Sequence, residues 1–236
     1  MINELINDFN KAIFVDNRYK FILEGLKNTL IISLISVTIG VLIGMVVAII
    51  NSYNKETKKM KIISKITKLY VSIIRGTPVL LQLMILYYVV FRNVRDINLI
   101  MVASLAFGIN SGAYVSEIIR AGIESIDKGQ MEASRSLGLS YFQSMKLVIM
   151  PQAIKNILPA IGNEFVTLIK ETSVAGYIGV RDLTKASDII ASRTYDYFFP
   201  LIIAALIYLI IILSLTKILN IFERRLKKDA WSKKDI

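Results

Sequence analysis

Two ionisable residues stand inside long apolar stretches, and their chemistry is that of a polar binding site. Arg75 and Glu164 each lie within a segment apolar enough to cross a bilayer. A charged group deep in hydrocarbon costs at least about 2.5 kcal/mol on insertion scales, so it normally faces a cavity or a partner. The guanidinium and the carboxylate could receive the two charges of a zwitterionic molecule. Alternatively, they could form a structural ion pair that locks two helices together.

Counting along the helices indicates that these charges share a depth with other polar residues. At a rise of 1.5 Å per residue, Arg75 lies roughly 14 Å into its segment, Glu164 roughly 16 to 20 Å and Asn110 roughly 18 Å. All three therefore fall near the middle of a core about 30 Å thick. The predicted binding residues are Arg75, Thr77, Asn110, Ser111 and Glu164. Tyr114 and Glu117 are expected to belong to packing and to the cytoplasmic rim.

The elements that must position these residues are membrane spans. The chain has 236 residues, 54% of them hydrophobic, and the apolar residues come in blocks rather than in amphipathic periods. We predict a single all-α integral membrane domain over residues 1–236 with five transmembrane helices. The predicted spans are approximately residues 27–51, 62–91, 97–122, 151–169 and 198–222, with helix kinks at Pro78 and Pro151.

Small residues recur every fourth position in two of these spans. Ser36, Gly40, Gly44 and Ala48 form one stripe, and Ser104, Gly108 and Gly112 form another. Such stripes let helix backbones approach closely. Packing within one bundle is the favoured interpretation, ahead of a dimer interface.

The charge distribution predicts the orientation. Residues 51–68 hold six Lys against one Glu, and residues 223–236 hold six basic against three acidic side chains. Because basic loops face the cytoplasm, we expect the N-terminus outside and the C-terminus inside. The loop 123–150 is balanced in charge, and only the span count places it in the cytoplasm. The net charge of +11 is explained in this way, without nucleic acid.

The composition also limits the chemistry. With no Cys and no His, the chain has neither thiolate ligands nor the commonest general base. We therefore predict no metal site and no catalytic residue, and an intramembrane enzyme is the least favoured class.

The polar loop 123–150 has the pattern of two short helices with a break. Gly138 suits a left-handed C-terminal cap, and Ser140 with Gln143 forms a capping box. A capped polar hairpin between membrane spans is expected to dock on another protein.

This hairpin resembles the cytoplasmic coupling loop of ABC-importer permeases, whose pattern is E-A-A, three residues, G, nine residues and I-x-L-P. Glu132-Ala133-Ser134, Gly138 and Val148-Ile149-Met150-Pro151 match that spacing. Four further stretches resemble the polar amino-acid subfamily, which serves histidine, glutamate, glutamine, arginine and opines: residues 26–44 (LKNTLIISLISVTIGVLIG), 75–82 (RGTPVLLQ), 111–122 (SGAYVSEIIRAG) and 162–173 (GNEFVTLIKETS). Asp127 departs from the usual Pro and is expected to loosen the start of the coupling helix.

The resemblance implies a type I importer fold in the inner (plasma) membrane of a bacterium. Its partners would be a cytoplasmic ABC ATPase, an extracytoplasmic amino-acid-binding protein and a second permease subunit, either a copy of this chain or a related one. The ATPase-coupling residues implied are Gln130, Glu132, Ala133, Ser134, Ser136, Leu137 and Gly138. No G-x-x-x-x-G-K-[ST] run occurs, so ATP and Mg are expected on the ATPase and no cofactor on this chain.

The expected function is therefore that of a permease subunit for a polar amino acid. The charge of Glu164 favours the cationic class of arginine, lysine and histidine. A permease for neutral or acidic amino acids, such as glutamine, glutamate or cystine, is the first alternative. An alternative from a different functional class is a passive channel or membrane anchor, which would leave the capped hairpin without a function.

Overall fold

The computed structural model describes the backbone of residues 2–231 and the side chains of residue 3 and residues 6–226. Every regular element in this part of the chain is helical. The α-helices are α1 (Ile2–Ile13), α2 (Tyr19–Thr57), α3 (Lys61–Arg75), α4 (Val79–Ile85), α5 (Leu99–Glu124), α6 (Lys128–Ser136), α7 (Tyr141–Ser144), α8 (Met150–Glu171), α9 (Leu183–Thr194) and α10 (Phe198–Trp231). Residues 232–236 of the basic tail, which contribute to the predicted orientation, lie outside the described residues.

The close contact of α2 and α5 organises the bundle. A Cβ placed on Gly40 would lie 2.6 Å from Ser111 Oγ, and one on Gly108 would lie 2.7 Å from Ile39 Cβ. Ser36 Oγ donates a hydrogen bond to the carbonyl of Ser104 at 3.2 Å across the same contact. The small-residue stripes therefore pack within one bundle, which confirms the favoured interpretation.

The predicted second span is broken in two. α3 and the segment Val79–Val90, which is α4 followed by a π-helical turn at Leu86–Val90, meet at 109°. Gly76 caps the end of α3, and Pro78 is the N-cap of α4. Proline has no N–H and disfavours helical geometry in the residue before it, so the helix stops here. The predicted kink at Pro78 is confirmed, and it separates two pieces that are each too short to cross a core of about 30 Å alone.

In the part of the chain that the structure describes, three helices are long and apolar enough to span a membrane, or four if the bent pair counts as one span. They are Val15–Thr57, Leu99–Glu124 and Phe198–Leu226. α8, which corresponds to the predicted span 151–169, has 22 residues but is too polar to join this set. The five-span count and the sides on which the termini lie remain predictions.

The helical path runs without a break from α7 through a π-helical turn at Met145–Ile149 into α8. Pro151 lies in the first turn of α8, directly after that π turn. A π turn shifts the hydrogen-bond ladder by one residue, which accommodates a proline that has no N–H. The irregularity predicted at Pro151 is thus a π turn just before it, and the helix continues.

A buried apolar core holds α4, α5 and α8 around the polar groups described below. Leu83, Val102, Phe107, Leu168 and Ala175 are fully buried in one cluster. Ala175 belongs to the 3-10 segment Thr172–Ile178, which follows α8 directly. This cluster fixes the relative positions of the helices that carry Gln82, Asn110 and Glu164.

The contact between α2 and α5 yields the first prediction. Replacing Gly40 by Val should lower the melting temperature of the purified protein in detergent, because overpacking a fitted contact costs about 1–3 kcal/mol. Val46→Leu is the control, since Val46 is 57% exposed on the same helix. Equal melting temperatures for Gly40→Val and the control would contradict the close packing.

Candidate functional site

Glu164 of α8 and Ser111 of α5 form the centre of the site. Ser111 Oγ donates a hydrogen bond to Glu164 Oε1 at 2.8 Å. The serine is fully buried and the glutamate is half-buried. Among the described residues, no basic side chain makes an ion pair with Glu164. The site therefore contains a carboxylate that has a hydrogen-bond donor but no neutralising cation.

A second polar group lies next to it on α5 and reaches the break between α3 and α4. Asn110 is 3% exposed, and its Nδ2 donates to Gln82 Oε1 at 2.9 Å. Gln82 Nε2 in turn donates to the carbonyl of Ile74 at 2.8 Å and to Thr77 Oγ1 at 2.8 Å. Gln82 thus supplies a donor to a carbonyl that the interrupted helix leaves without its usual partner.

Arg75 points to a different part of α5. Its Nη1 lies 3.4 Å from Glu117 Oε2, and its guanidinium lies 5.4 Å from the centre of the Tyr114 ring. Glu117 is shared with Arg120, whose Nη2 is 2.8 Å from the same oxygen. The alternative of an Arg75–Glu164 ion pair is therefore wrong for this structure. Tyr114 and Glu117, which were expected to serve packing and the rim, are the partners of Arg75.

The break in the helix explains this outcome. The predicted depth of Arg75 assumes that both halves of the second span run along the bundle axis, whereas α3 and Val79–Val90 meet at 109° and cannot both do so. Glu117 follows Ser111 by six positions, which is about 9 Å along α5. The structure therefore places the predicted residues in three separate contacts: Thr77 and Asn110 with Gln82, Ser111 with Glu164, and Arg75 with Glu117 and Tyr114.

Gln82 is the main site residue that the sequence analysis missed. It is the polar residue in the apolar run after Pro78, four positions beyond the proline. A side chain at that position can reach back over the first helical turn to the residues before the break. Its spacing from Pro78 was the signal that could have identified it.

The hairpin has the caps that the sequence predicts. Gly138 has φ +88°, Leu139 N donates to the carbonyl of Ser134 at 3.3 Å, and Gly138 N donates to the carbonyl of Arg135 at 3.0 Å. This pair of bonds is a Schellman motif. Ser140 and Gln143 bond each other's backbone N–H groups, which confirms the capping box. Asp127 accepts a hydrogen bond from Gly129 N at 2.7 Å and caps α6, so the expectation that it loosens the helix start is wrong.

The hairpin exposes one continuous polar and apolar surface. Six of the residues expected to couple to an ATPase are exposed: Gln130, Glu132, Ala133, Ser136, Leu137 and Gly138. Leu137 is 84% exposed at the turn. Ser134 is instead buried, at 5% exposure, and its hydroxyl donates to the carbonyl of Met131 at 2.9 Å. Ser134 therefore packs α6 onto the rest of the chain and offers no surface to a partner.

Comparison with known proteins gives one family and several close relatives. Residues 27–228 match the family described as binding-protein-dependent transport system inner membrane component. A protein of Bacillus subtilis, described as an arginine transport system permease, is 44% identical over 210 residues, covering 89% of this chain and 94% of the relative. A protein of Rickettsia prowazekii, described as a glutamine transport system permease, is 42% identical over 208 residues, covering 87% and 93%.

Solved structures agree with the same architecture. A crystal structure of an amino acid ABC transporter with histidines has a chain 44% identical, with a TM-score of 0.82, covering 89% of this chain and 96% of that one. The methionine ABC transporter MetNI, in an inward-facing conformation, is 19% identical with a TM-score of 0.73, and it covers 88% of this chain and 97% of that one. The second likeness concerns the fold alone.

The hydrogen bond between Gln82 and Asn110 yields a prediction about the site. Gln82→Met and Asn110→Leu should each lower the melting temperature in detergent, since each leaves a partially buried polar group without its partner. The melting temperature of the double variant should fall by less than the sum of the two single shifts, which corresponds to a coupling free energy of about 0.5–3 kcal/mol. Strict additivity of the melting shifts would mean that the two side chains do not interact.

Proposed function

Because the chain belongs to the family of binding-protein-dependent transport system inner membrane components, we propose that it forms the path for a cationic amino acid in an importer. The chain has the type I ABC permease fold and is an inner-membrane component of a bacterial ABC transporter. It is the permease subunit of an amino-acid importer, and a separate ATPase hydrolyses ATP. The cationic substrate is the proposed part.

The unneutralised carboxylate of Glu164 is the observation that carries this proposal. A carboxylate in a partly desolvated place favours binding of a positive group, since the attraction between opposite charges grows as water is excluded. Ser111 holds Oε1 at 2.8 Å and so orients the carboxylate. A side-chain guanidinium or ammonium of the substrate would supply the missing cation.

Arg75 is the group proposed to receive the substrate carboxylate. Its present partner, Glu117, is also bound to Arg120, so Glu117 would keep one cation if Arg75 turned to a ligand. The side chain of Arg75 is 45% exposed. Thr77 and Asn110 would add hydrogen bonds beside it.

A neutral substrate is the second candidate, and the relative described as a glutamine permease favours it. An amide side chain could accept from Asn110 or donate to Glu164. Removing the negative charge of Glu164 distinguishes a cationic from a neutral substrate, because a neutral amide needs a hydrogen-bond acceptor but no anion.

The hairpin is proposed to receive the movement of the ATPase. Leu137 and its exposed neighbours would enter a groove of that partner, with ATP and Mg bound there. Residues 141–171 form one helical path from the hairpin to Glu164, so a displacement of the hairpin would reach the site along α8. An amino-acid-binding protein outside and a second permease subunit complete the proposed assembly. A passive channel or anchor would leave the exposed hairpin without a function.

Replacing Glu164 by Gln tests the substrate class. When the variant is reconstituted with its ATPase and binding protein, its rate of arginine uptake should fall by about ten- to a hundredfold. A hydrogen bond to a charged group contributes roughly 1.5–3 kcal/mol. Glutamine uptake, if the wild type has it, should change far less. Uptake rates at several substrate concentrations provide the measurement.

Glu56→Gln is the matched control for this experiment. Glu56 is exposed at the end of α2, away from the site, and the substitution removes the same charge. Arginine uptake at the wild-type rate in Glu164→Gln would overturn the cationic proposal. The assignment as a permease would stand in that case.

Two replacements at Gly138 test the coupling role. Pro cannot adopt φ +88°, so Gly138→Pro should distort the hairpin and reduce ATP-driven uptake or association with the ATPase at least tenfold. Gly138→Asn should retain both, because Asn tolerates left-handed geometry and a Cβ at this position meets nothing within 4 Å. Glu132→Ala removes an exposed charge on α6 and should also weaken association. Normal uptake and a stable complex in both Gly138→Pro and Glu132→Ala would refute the mechanism.

A further inference from the structure

A basic concavity lies between the end of α2 and the start of α3, next to the place where Ser52 and Tyr53 of α2 contact Tyr141 and Phe142 of the hairpin. Its volume is about 370 Å³. The lining residues are Asn54, Lys61, Ile62, Ser64, Lys65 and Lys68. Ser64 is 2% exposed and donates to Asn51 Oδ1 at 2.8 Å, so the floor of the concavity is fixed by a bond between the two helices.

The positive charge of this concavity is not neutralised by any side chain that the structure describes. Among the residues that the structure describes, Lys61, Lys65 and Lys68 make no ion pair and no side-chain hydrogen bond. Lys55 nearby pairs with Glu124 at 3.6 Å, so it is not part of the available charge. Three exposed ammonium groups within two turns of one helix repel one another unless an anion lies between them.

An apolar stripe runs beside these lysines on α3. Ile62, Ile66, Leu69 and Ile73 recur at helical spacing and are 53–78% exposed. A helix with a cationic stripe next to an apolar stripe is typical of an element that lies in the membrane interface. α3 has 15 residues and is therefore about 22 Å long, too short to span the core, and it diverges from α4 by 109°.

The lining also contains an acceptor without a partner. Asn54 Oδ1 is buried and has no hydrogen bond in the described part of the chain. A glycerol headgroup carries hydroxyl donors next to its phosphate. A ligand that combines an anion, a hydroxyl donor and apolar chains matches the three features of this surface.

We propose that this concavity binds the headgroup of an anionic glycerophospholipid, with the acyl chains along the apolar stripe of α3. The phosphate lies between Lys61, Lys65 and Lys68, and the hydroxyl groups meet Asn54. Since α3 ends at Arg75, a bound lipid would hold the first half of the broken element against the membrane surface. The proposal does not depend on the substrate class.

Titration of the purified full-length chain in detergent with phosphatidylglycerol tests this proposal. Native mass spectrometry gives the stoichiometry and the dissociation constant, with phosphatidylcholine as the neutral lipid. Each lysine near an anionic headgroup contributes about fivefold, so Lys61→Gln, Lys65→Gln and Lys68→Gln together should weaken binding on the order of a hundredfold. Replacing the same three residues by Arg should preserve binding and shows that the fold tolerates changes there.

The matched control removes three exposed lysines elsewhere, by Lys11→Gln, Lys20→Gln and Lys27→Gln. It should bind phosphatidylglycerol within about twofold of the wild type. Equal loss in the control would show unspecific attraction by net charge and would overturn the site. Unchanged binding in the Gln triple variant, or displacement of the lipid by millimolar inorganic phosphate, would overturn it as well.

A photocrosslinker at position 66, in place of Ile66, distinguishes lipid from protein on the apolar stripe. In phosphatidylglycerol-containing vesicles, adducts with lipid support the proposal. Adducts with a second copy of the chain would show that the stripe is an interface between subunits and would overturn it.

Discussion

The close approach of α2 and α5 is the contact on which the rest of the bundle depends. Gly40 lies against Ser111, so the two backbones meet at the level of the site and leave no room for a Cβ. With one side of α5 closed in this way, its polar residues turn to α4 and α8. Ser111 itself makes this contact, since its Oγ and Cβ would lie 2.6 and 2.8 Å from a Cβ on Gly40, so the packing of α2 positions the hydroxyl that donates to Glu164.

The break between α3 and α4 creates a second requirement. A helix interrupted inside the bundle leaves carbonyl groups without their helical partners, and each must find another donor. Gln82 provides donors for Ile74 and Thr77 and then accepts from Asn110. One amide thus satisfies the broken backbone and joins it to α5. A ligand that formed hydrogen bonds with Gln82 would compete with the bonds that hold the break together, so in the proposed importer occupancy of the site would be linked to the angle between the two half-helices.

Local features were predictable from the sequence, and relations across the break were not. The small-residue stripes, the cap at Gly138 and the break at Pro78 each depend on a few neighbouring residues whose preferences are strong. The partner of Arg75 depends on an angle of 109°, which no periodicity encodes. Ser134 was assigned to the partner surface because a motif contains it, although its position on α6 turns it inward. Gln82 was not predicted as a site residue because its role is to donate hydrogen bonds near the break. The carbonyl group that it reaches on Ile74 lacks its helical partner only because the helix stops there.

The helical connections also bear on the proposed coupling between the hairpin and the pair of Ser111 and Glu164. Glu164 follows Met150 by 14 positions on α8, which is about 21 Å of helix. Its partner Ser111 belongs to α5, which packs on α2 and leads directly into the other end of the hairpin. If the proposed movement of the hairpin shifted α8 relative to α5, the 2.8 Å bond between Ser111 and Glu164 would lengthen and weaken. Ser111 would then hold or release the carboxylate of Glu164 according to the position of the hairpin, and by linkage a cation bound there would favour one position over the other.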